Sequence, residues 1–178
     1  MRDTFSIMLK MTFGSGEKEP QKSAPSTPEE SNSDARIAIV ASRYNSDFTD
    51  ALVKSSTETL AKLLPNATID LHRVPGAFEI PVVIESLCRK TSNRPNAVIA
   101  LGVIIRGSTA HADLIAESIT HSLAASAREN LIPVIHEVLL VENAEQAQVR
   151  TIGDELNRGR EAAEAAIEML KAMAGVTD

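Results

Sequence analysis

The stretch Ile37-Ala38-Ile39-Val40-Ala41-Ser42-Arg43-Tyr44-Asn45-Ser46-Asp47-Phe48 decides the fold. It opens with a continuously apolar run, Ile37 to Ala41, as expected of a strand covered on both faces. A helix should follow from about Asp47, placing Phe48, Leu52, Leu60, Leu63 and Leu64 on or near one apolar face before Pro65-Asn66 ends it. The alternation continues downstream. Ala67 to Val74 reads as a second strand, and Pro75-Gly76 turns the chain into a helix from about Phe78 to Arg89. Pro81 lies in the first turn of that helix, where its missing N–H costs little. Ala97 to Ile104 (AVIALGVI) is a third strand, followed by Arg106-Gly107-Ser108-Thr109 and a helix from about Ala110 to Glu129. Val134 to Val141 is a fourth strand, and helical segments occupy much of Asn143 to Ala174, interrupted near Gly153 and Gly159. The order βαβαβαβα predicts an α/β fold, a three-layer αβα sandwich on a four-stranded parallel sheet with right-handed crossovers.

Upstream of Arg36 the regime is different. Residues 14–33 contain one Ala and otherwise only polar residues, Gly and Pro. Such a stretch buries too little apolar surface to offset its ordering entropy, so residues 1–35 read as a disordered polar extension and 36–174 as one domain of about 140 residues. Met8 and Met11 leave the start position open, and the acidic residues Asp3, Glu17, Glu19, Glu29 and Glu30 argue against a transit peptide. The net charge of −6, with no window dominated by Lys and Arg, argues against nucleic acid as a partner. The lone Cys88 cannot form an intrachain disulfide; it reads as a small packed residue in a reduced, cytoplasmic setting. No apolar run approaches the roughly 20 residues needed to cross a bilayer, and no signal-peptide core is evident, so no membrane partner is expected.

In open parallel sheets ligands bind beyond the carboxyl ends of the strands, which directs attention to the loops after each strand. Aromatics are scarce, one Tyr and four Phe with no Trp, yet Tyr44 and Phe78 both fall in those loops. Tyr44 has the shape to stack on a planar heterocycle while Asn45 bonds to polar edges; an ordinary Tyr-Asn loop is the competing reading. Ser108 and Thr109 stand where a helix begins, suited either to holding an anion such as phosphate or to simple N-capping. His111 is placed to shuttle protons near neutral pH, although a lone histidine is more often a surface or packing residue. His72 and His121 form no i, i+4 pair with it, so no metal site is expected. Gly102 to Thr109 superficially resembles a phosphate-binding P-loop, but Ser108 stands where the Lys must be, and no dinucleotide or hydrolase motif occurs. Arg150 and Arg158 read either as solvated helix charges or as cationic clamps on a phosphate.

Taken together, SRYN after the first strand, VPGAFEIP after the second, ALGVIIRGSTAHAD across the third and ENAEQAQVR after the fourth resemble the 6,7-dimethyl-8-ribityllumazine synthase family. The match runs from about Arg36 to Met169, with four motifs in the right order. The resemblance implies a flavodoxin-like arrangement and the penultimate step of riboflavin biosynthesis. In that step 5-amino-6-(D-ribitylamino)uracil condenses with 3,4-dihydroxy-2-butanone 4-phosphate through an imine, loss of phosphate and ring closure, with no cofactor. Carried over residue by residue, Tyr44 matches the aromatic that stacks on the pyrimidine, with Asn45 beside it in support. Ala77, Phe78, Glu79, Val103, Ile104 and Ile105 match further contacts for that substrate. Ser108, Thr109 and Arg150 match the phosphate-binding groups, His111 the proton-transfer histidine, and Asp113 is placed to orient it. Arg158 stands where many members have a lysine.

One departure is His136-Glu137, where the family often has Phe-Gly packing on the heterocycle from a neighbouring subunit. Here His136 either substitutes as a planar ring or adds a titrating group. The resemblance further implies small-molecule substrates and a homo-oligomer, a pentamer or a larger shell, with active sites between subunits; docking of riboflavin synthase stays open. The alternative is a non-catalytic flavin- or lumazine-binding or shell-forming protein of the same fold.

Overall fold

The structure, a computed structural model, describes residues 35–177. The expectations for the polar extension therefore lie outside the described residues, except that Ala35 is already buried and its carbonyl accepts from Thr68 N–H at 2.9 Å. The elements are β1 (Arg36–Ser42), α1 (Ser46–Leu63), β2 (Thr68–Val74), a 3₁₀ turn at Ala77–Glu79, α2 (Ile80–Cys88), β3 (Ala97–Ile105), α3 (His111–Asn130), β4 (Val134–Val141), α4 (Ala144–Thr151) and α5 (Arg158–Thr177). All strand pairings are parallel, in the order β2-β1-β3-β4. The three-layer sandwich and four-stranded parallel sheet expected from the alternation are present.

The two faces of the sheet bury different helices because successive strand residues point to opposite sides. Ile37, Ile39, Ile99 and Leu101 pack with Leu52 and Leu60 of α1, Ala147 of α4, and Ala162, Ala163 and Ala166 of α5. Ala38, Val40, Val98 and Ala100 pack with Ile80 and Ile84 of α2 and with Ile119 and Leu123 of α3. Each fully buried Ile or Leu contributes about 1.5–3 kcal/mol relative to exposure. Cys88 is buried in the second layer, as its place beside Leu87 suggested. Across that layer Ser126 Oγ and Asn130 Nδ2 of α3 donate to Glu85 Oε2 of α2 at 2.6 and 3.2 Å. The Ser126 hydrogen bond, followed by the contact with Arg89, holds the Glu85 carboxyl below the usual range.

Three details differ from the periodicity reading. Leu63 is 48% exposed, because the last turn of α1 overhangs the core that Leu60 and Leu64 still reach. The segment after β2 enters α2 through the 3₁₀ turn, so the α-helix starts at Ile80, after Phe78, and Pro81 sits in its first turn. Gly153 does fall in the break between α4 and α5, but Gly159 lies inside α5. It is required there by close approach: a Cβ on Gly159 would lie 2.1 Å from Ser55 Oγ and 2.5 Å from the Leu52 carbonyl of α1. The Ser56 hydroxyl seals that crossing by donating to the Gly159 carbonyl at 2.7 Å.

Candidate active site

The chain leaves β1 toward one neighbour, β2, and returns through β3 on the other side, so the sheet has its topological switch point between β1 and β3. Loops diverging at such a point open a crevice at the carboxyl edge of the sheet. A cleft of about 650 Å³ lies there, lined by Tyr44 and Asn45 after β1, Gly76 to Glu79 after β2, Val103 to Ile105 at the end of β3, and Gly107, Thr109, His111, Ala112 and Ile115 around the start of α3.

Local structure aims each group. Asn45 adopts the left-handed conformation (φ 53°) at the start of α1, which Asn tolerates better than most residues. Its amide donates to the Val103 carbonyl at 2.8 Å, tying the β1 loop to β3 and presenting Tyr44 at 73% exposure. The buried Thr49 hydroxyl donates to the Tyr44 carbonyl at 3.1 Å and steadies the same turn. Phe78 is 58% exposed on the 3₁₀ turn, and Glu79 caps that turn by accepting from Gly76 N–H at 2.8 Å. The floor is apolar, since Val103 is buried and Ile104 and Ile105 are half-buried. Along the same lining α3 begins without a capping side chain, because Ala110 occupies the cap position. The Thr109 hydroxyl accepts from His111 N–H only at 3.5 Å, so the hydroxyl and the first-turn amides stay available to an anion.

Several expected site residues are engaged elsewhere. The Asp113 carboxylate is ion-paired with Arg106. Ser108 is exposed beside the cleft rather than in its lining. Arg150, on α4, donates to the Gln146 carbonyl at 3.2 Å and does not line the cleft of its own chain. Arg158, at the start of α5, pairs with Glu161 at 2.7 Å. Gly76, Gly107 and Ala112 fall in the loops after β2 and β3 but were given no role at the site, and Ile115 was missed; it was discoverable, being one helical turn beyond His111 on the same face of α3.

His136 and Glu137 sit on the edge strand β4, paired in register with Ala100 and Leu101, and point to opposite faces. His136 Nδ1 accepts from Val138 N–H at 3.1 Å, so Nε2 carries the proton, which it donates to the Thr120 hydroxyl at 2.9 Å. That hydroxyl in turn donates to the Ala116 carbonyl at 2.8 Å. Burial lowers the His136 pKa and the hydrogen bonds fix one neutral tautomer, which favours the planar-ring reading over the titrating one.

Glu137 faces α5. Burial raises its pKa to about 7; Arg158 opposes the shift but shares its charge with Glu161. A carboxyl whose folded pKa lies above its unfolded value stabilises the fold most below the unfolded pKa, and that contribution is lost as pH rises toward 7. Glu137→Gln is therefore expected to raise the melting temperature at pH 8 relative to the parent and to change it little at pH 5. A parallel shift at both pH values would show that the side chain's shape, not its ionisation, governs stability.

Among the described residues no cluster of His, Cys, Asp and Glu is arranged to hold a metal ion, and no helix is long and apolar enough to cross a membrane. Residues 34–174 match the family model described as 6,7-dimethyl-8-ribityllumazine synthase. Curated proteins of that name are similar to the chain. The one from Xanthomonas oryzae pv. oryzae (strain PXO99A) is 40% identical over 140 residues, 78% of this chain and 90% of the relative. The one from Halorhodospira halophila is 39% identical over 141 residues, 79% and 89% of the respective chains. The one from Stenotrophomonas maltophilia is 40% identical over 137 residues, 76% and 87%.

Proposed function

The chain belongs to the 6,7-dimethyl-8-ribityllumazine synthase family, and from that premise we propose how its cleft divides the work. The enzyme is a transferase of riboflavin biosynthesis that condenses 5-amino-6-(D-ribitylamino)uracil with 3,4-dihydroxy-2-butanone 4-phosphate, giving 6,7-dimethyl-8-ribityllumazine with release of phosphate and water. The observation that carries the division is the polarity of the cleft. Exposed aromatic rings, Tyr44 and Phe78, and apolar β3 residues line it together with an uncapped helix start that carries Thr109 and His111.

The pyrimidine ring lies against Tyr44 and the β3 floor, with Ala77, Phe78 and Glu79 around it. The phosphate of the second substrate takes the Ser108-Thr109 end, where hydroxyls and first-turn amides meet a dianion with no charge of their own to neutralise. His111 stands between the two. It accepts and returns the protons that move as the pyrimidine's amino group attacks the ketone, the imine forms and phosphate leaves. Most of the acceleration comes from holding two substrates in register, because imine formation is intrinsically mild chemistry.

Arg150, His136 and Arg158 lie outside the lining of their own chain's cleft. We place them at the cleft of an adjacent copy in a ring-shaped homo-oligomer, a pentamer or an assembly of pentamers. Arg150 supplies the cation that the phosphate end lacks, and His136 presents a flat neutral ring to the heterocycle. The setting is the cytoplasm.

Tyr44 offers the direct test of the aromatic end. Loss of one stacking ring costs about 1.4 kcal/mol, or tenfold in affinity. Tyr44→Ala should raise the pyrimidine Kd by about that factor and Tyr44→Phe should leave it within about twofold, as read by titration calorimetry. An unchanged Kd in the Ala variant would remove Tyr44 from the site.

A further inference from the structure

Arg106 is the first residue beyond β3 and the one cation at the base of the loop that carries Thr109 and His111. Its backbone N–H continues the β3–β4 ladder by donating to the Val141 carbonyl at 2.8 Å. One terminal nitrogen, Nη1, pairs with Glu142, the first residue after β4, and the other, Nη2, with Asp113 in the first turn of α3. The guanidinium thus spans from the carboxyl edge of the sheet to the helix start. The backbone beyond Arg106 is exposed from Gly107 to His111 and turns inward only at the buried Ala112; the helix start has no capping side chain, and a Cβ on Gly107 would meet nothing within 4 Å. Ala112 and Ile115 anchor the helix start from the core side, and the Arg106–Asp113 pair ties it to the end of β3 from the exposed side.

We propose that Arg106 is a positioning residue for the condensation: clamped between Asp113 and Glu142, it closes the 107–112 loop at its base and sets Thr109 and His111 at the cleft. This rests on the reading of that loop as the phosphate end. Two consequences follow. Arg106 acts through the loop it holds, each of its terminal nitrogens already donating to a carboxylate. Asp113 acts on His111 through the placement of the helix start rather than through a direct bond to the imidazole.

The clamp is about half exposed, and exposed ion pairs contribute little to global stability. Its loss should therefore appear in the geometry of the loop before it appears in melting. Arg106→Met, Arg106→Lys and Thr109→Ala are compared by amide hydrogen exchange over residues 114–117, the first bonded turn of α3, which opens with Leu114 N–H donating to the Ala110 carbonyl at 3.1 Å, by KM for the phosphate substrate, and by Kd for the pyrimidine. Arg106→Met is expected to speed exchange in that segment and to raise the phosphate-substrate KM about tenfold, with pyrimidine Kd within about twofold and the melting temperature nearly unmoved. Arg106→Lys, a point charge that cannot fork between two carboxylates, should fall between parent and Met. Combining Arg106→Met with Asp113→Asn should raise KM by less than the product of the single effects, because both break one contact. Unchanged exchange in Arg106→Met overturns the clamp. Faster exchange with unchanged KM, while Thr109→Ala does raise KM, overturns the positioning role and leaves the phosphate reading intact. Faster exchange with KM unmoved in both variants upholds the clamp and overturns the phosphate reading.

Discussion

His111→Ala is expected to lower kcat about 10²-fold while the pyrimidine Kd stays within about twofold, the signature of a group that acts on protons in the transition state and adds little to ground-state binding. The expectation follows from placement. His111 is the first residue of α3, exposed at the cleft beyond β3. It is linked to Thr109 only through its backbone N–H, and among the described residues its imidazole makes no hydrogen bond. Single-turnover kinetics, followed by the absorbance of the lumazine product, separates the chemical step from binding and release. A loss of pyrimidine affinity equal to the loss of kcat would make His111 a binding group, and unchanged turnover would take it out of the reaction.

Mixing two impaired variants, assayed with the phosphate substrate well below the KM of Arg150→Ala, should restore activity. His111→Ala removes the proton-transfer group, and Arg150→Ala removes the cation proposed to reach the phosphate from a neighbouring copy. In a cyclic assembly each interface joins one patch of a subunit to a different patch of the next, so the two groups of one site come from two chains. Random co-assembly of equal amounts then leaves roughly a quarter of the sites with both groups intact. Denaturing the two variants together, refolding them and assaying product should recover about that fraction of parental activity, whereas each variant refolded alone remains low. No recovery in assemblies shown to be mixed would place Arg150 and His111 in the same chain's site. Alone, Arg150→Ala should raise KM for the phosphate substrate much more than the Kd of the pyrimidine, as loss of a charge-assisted contact to one substrate requires.

The order of elements along the chain, the layers and the edge of the sheet that holds the cleft were legible in the chain because they depend on local signals. Continuous apolar runs such as Ile37–Ala41 and Ala97–Ile105 mark strands covered on both sides. The alternation with helices then leaves few topologies, and the preference of ligands for the carboxyl ends of parallel strands points to the loops after each strand. Tyr44, Phe78, Thr109 and His111 were all named from that logic and all line the cleft. Leu63 and Gly159 were misread because periodicity says which face a residue occupies but not how far the neighbouring element extends; α1 and α5 meet across a hundred residues of sequence.

What the sequence determined by itself is the kind of chemistry available at each loop: an aromatic, a pair of hydroxyls, an imidazole, several guanidinium groups. What only the tertiary structure decided is which of these groups are already committed. The Asn45 amide is held by Val103, Asp113 by Arg106, both nitrogens of His136 by Val138 and Thr120, and Arg158 by Glu161. Hydrogen bonds and ion pairs act over a few ångströms of space, and the distances that matter here are set by the packing of β1, β3, β4 and α3, which the order of residues along the chain does not reveal.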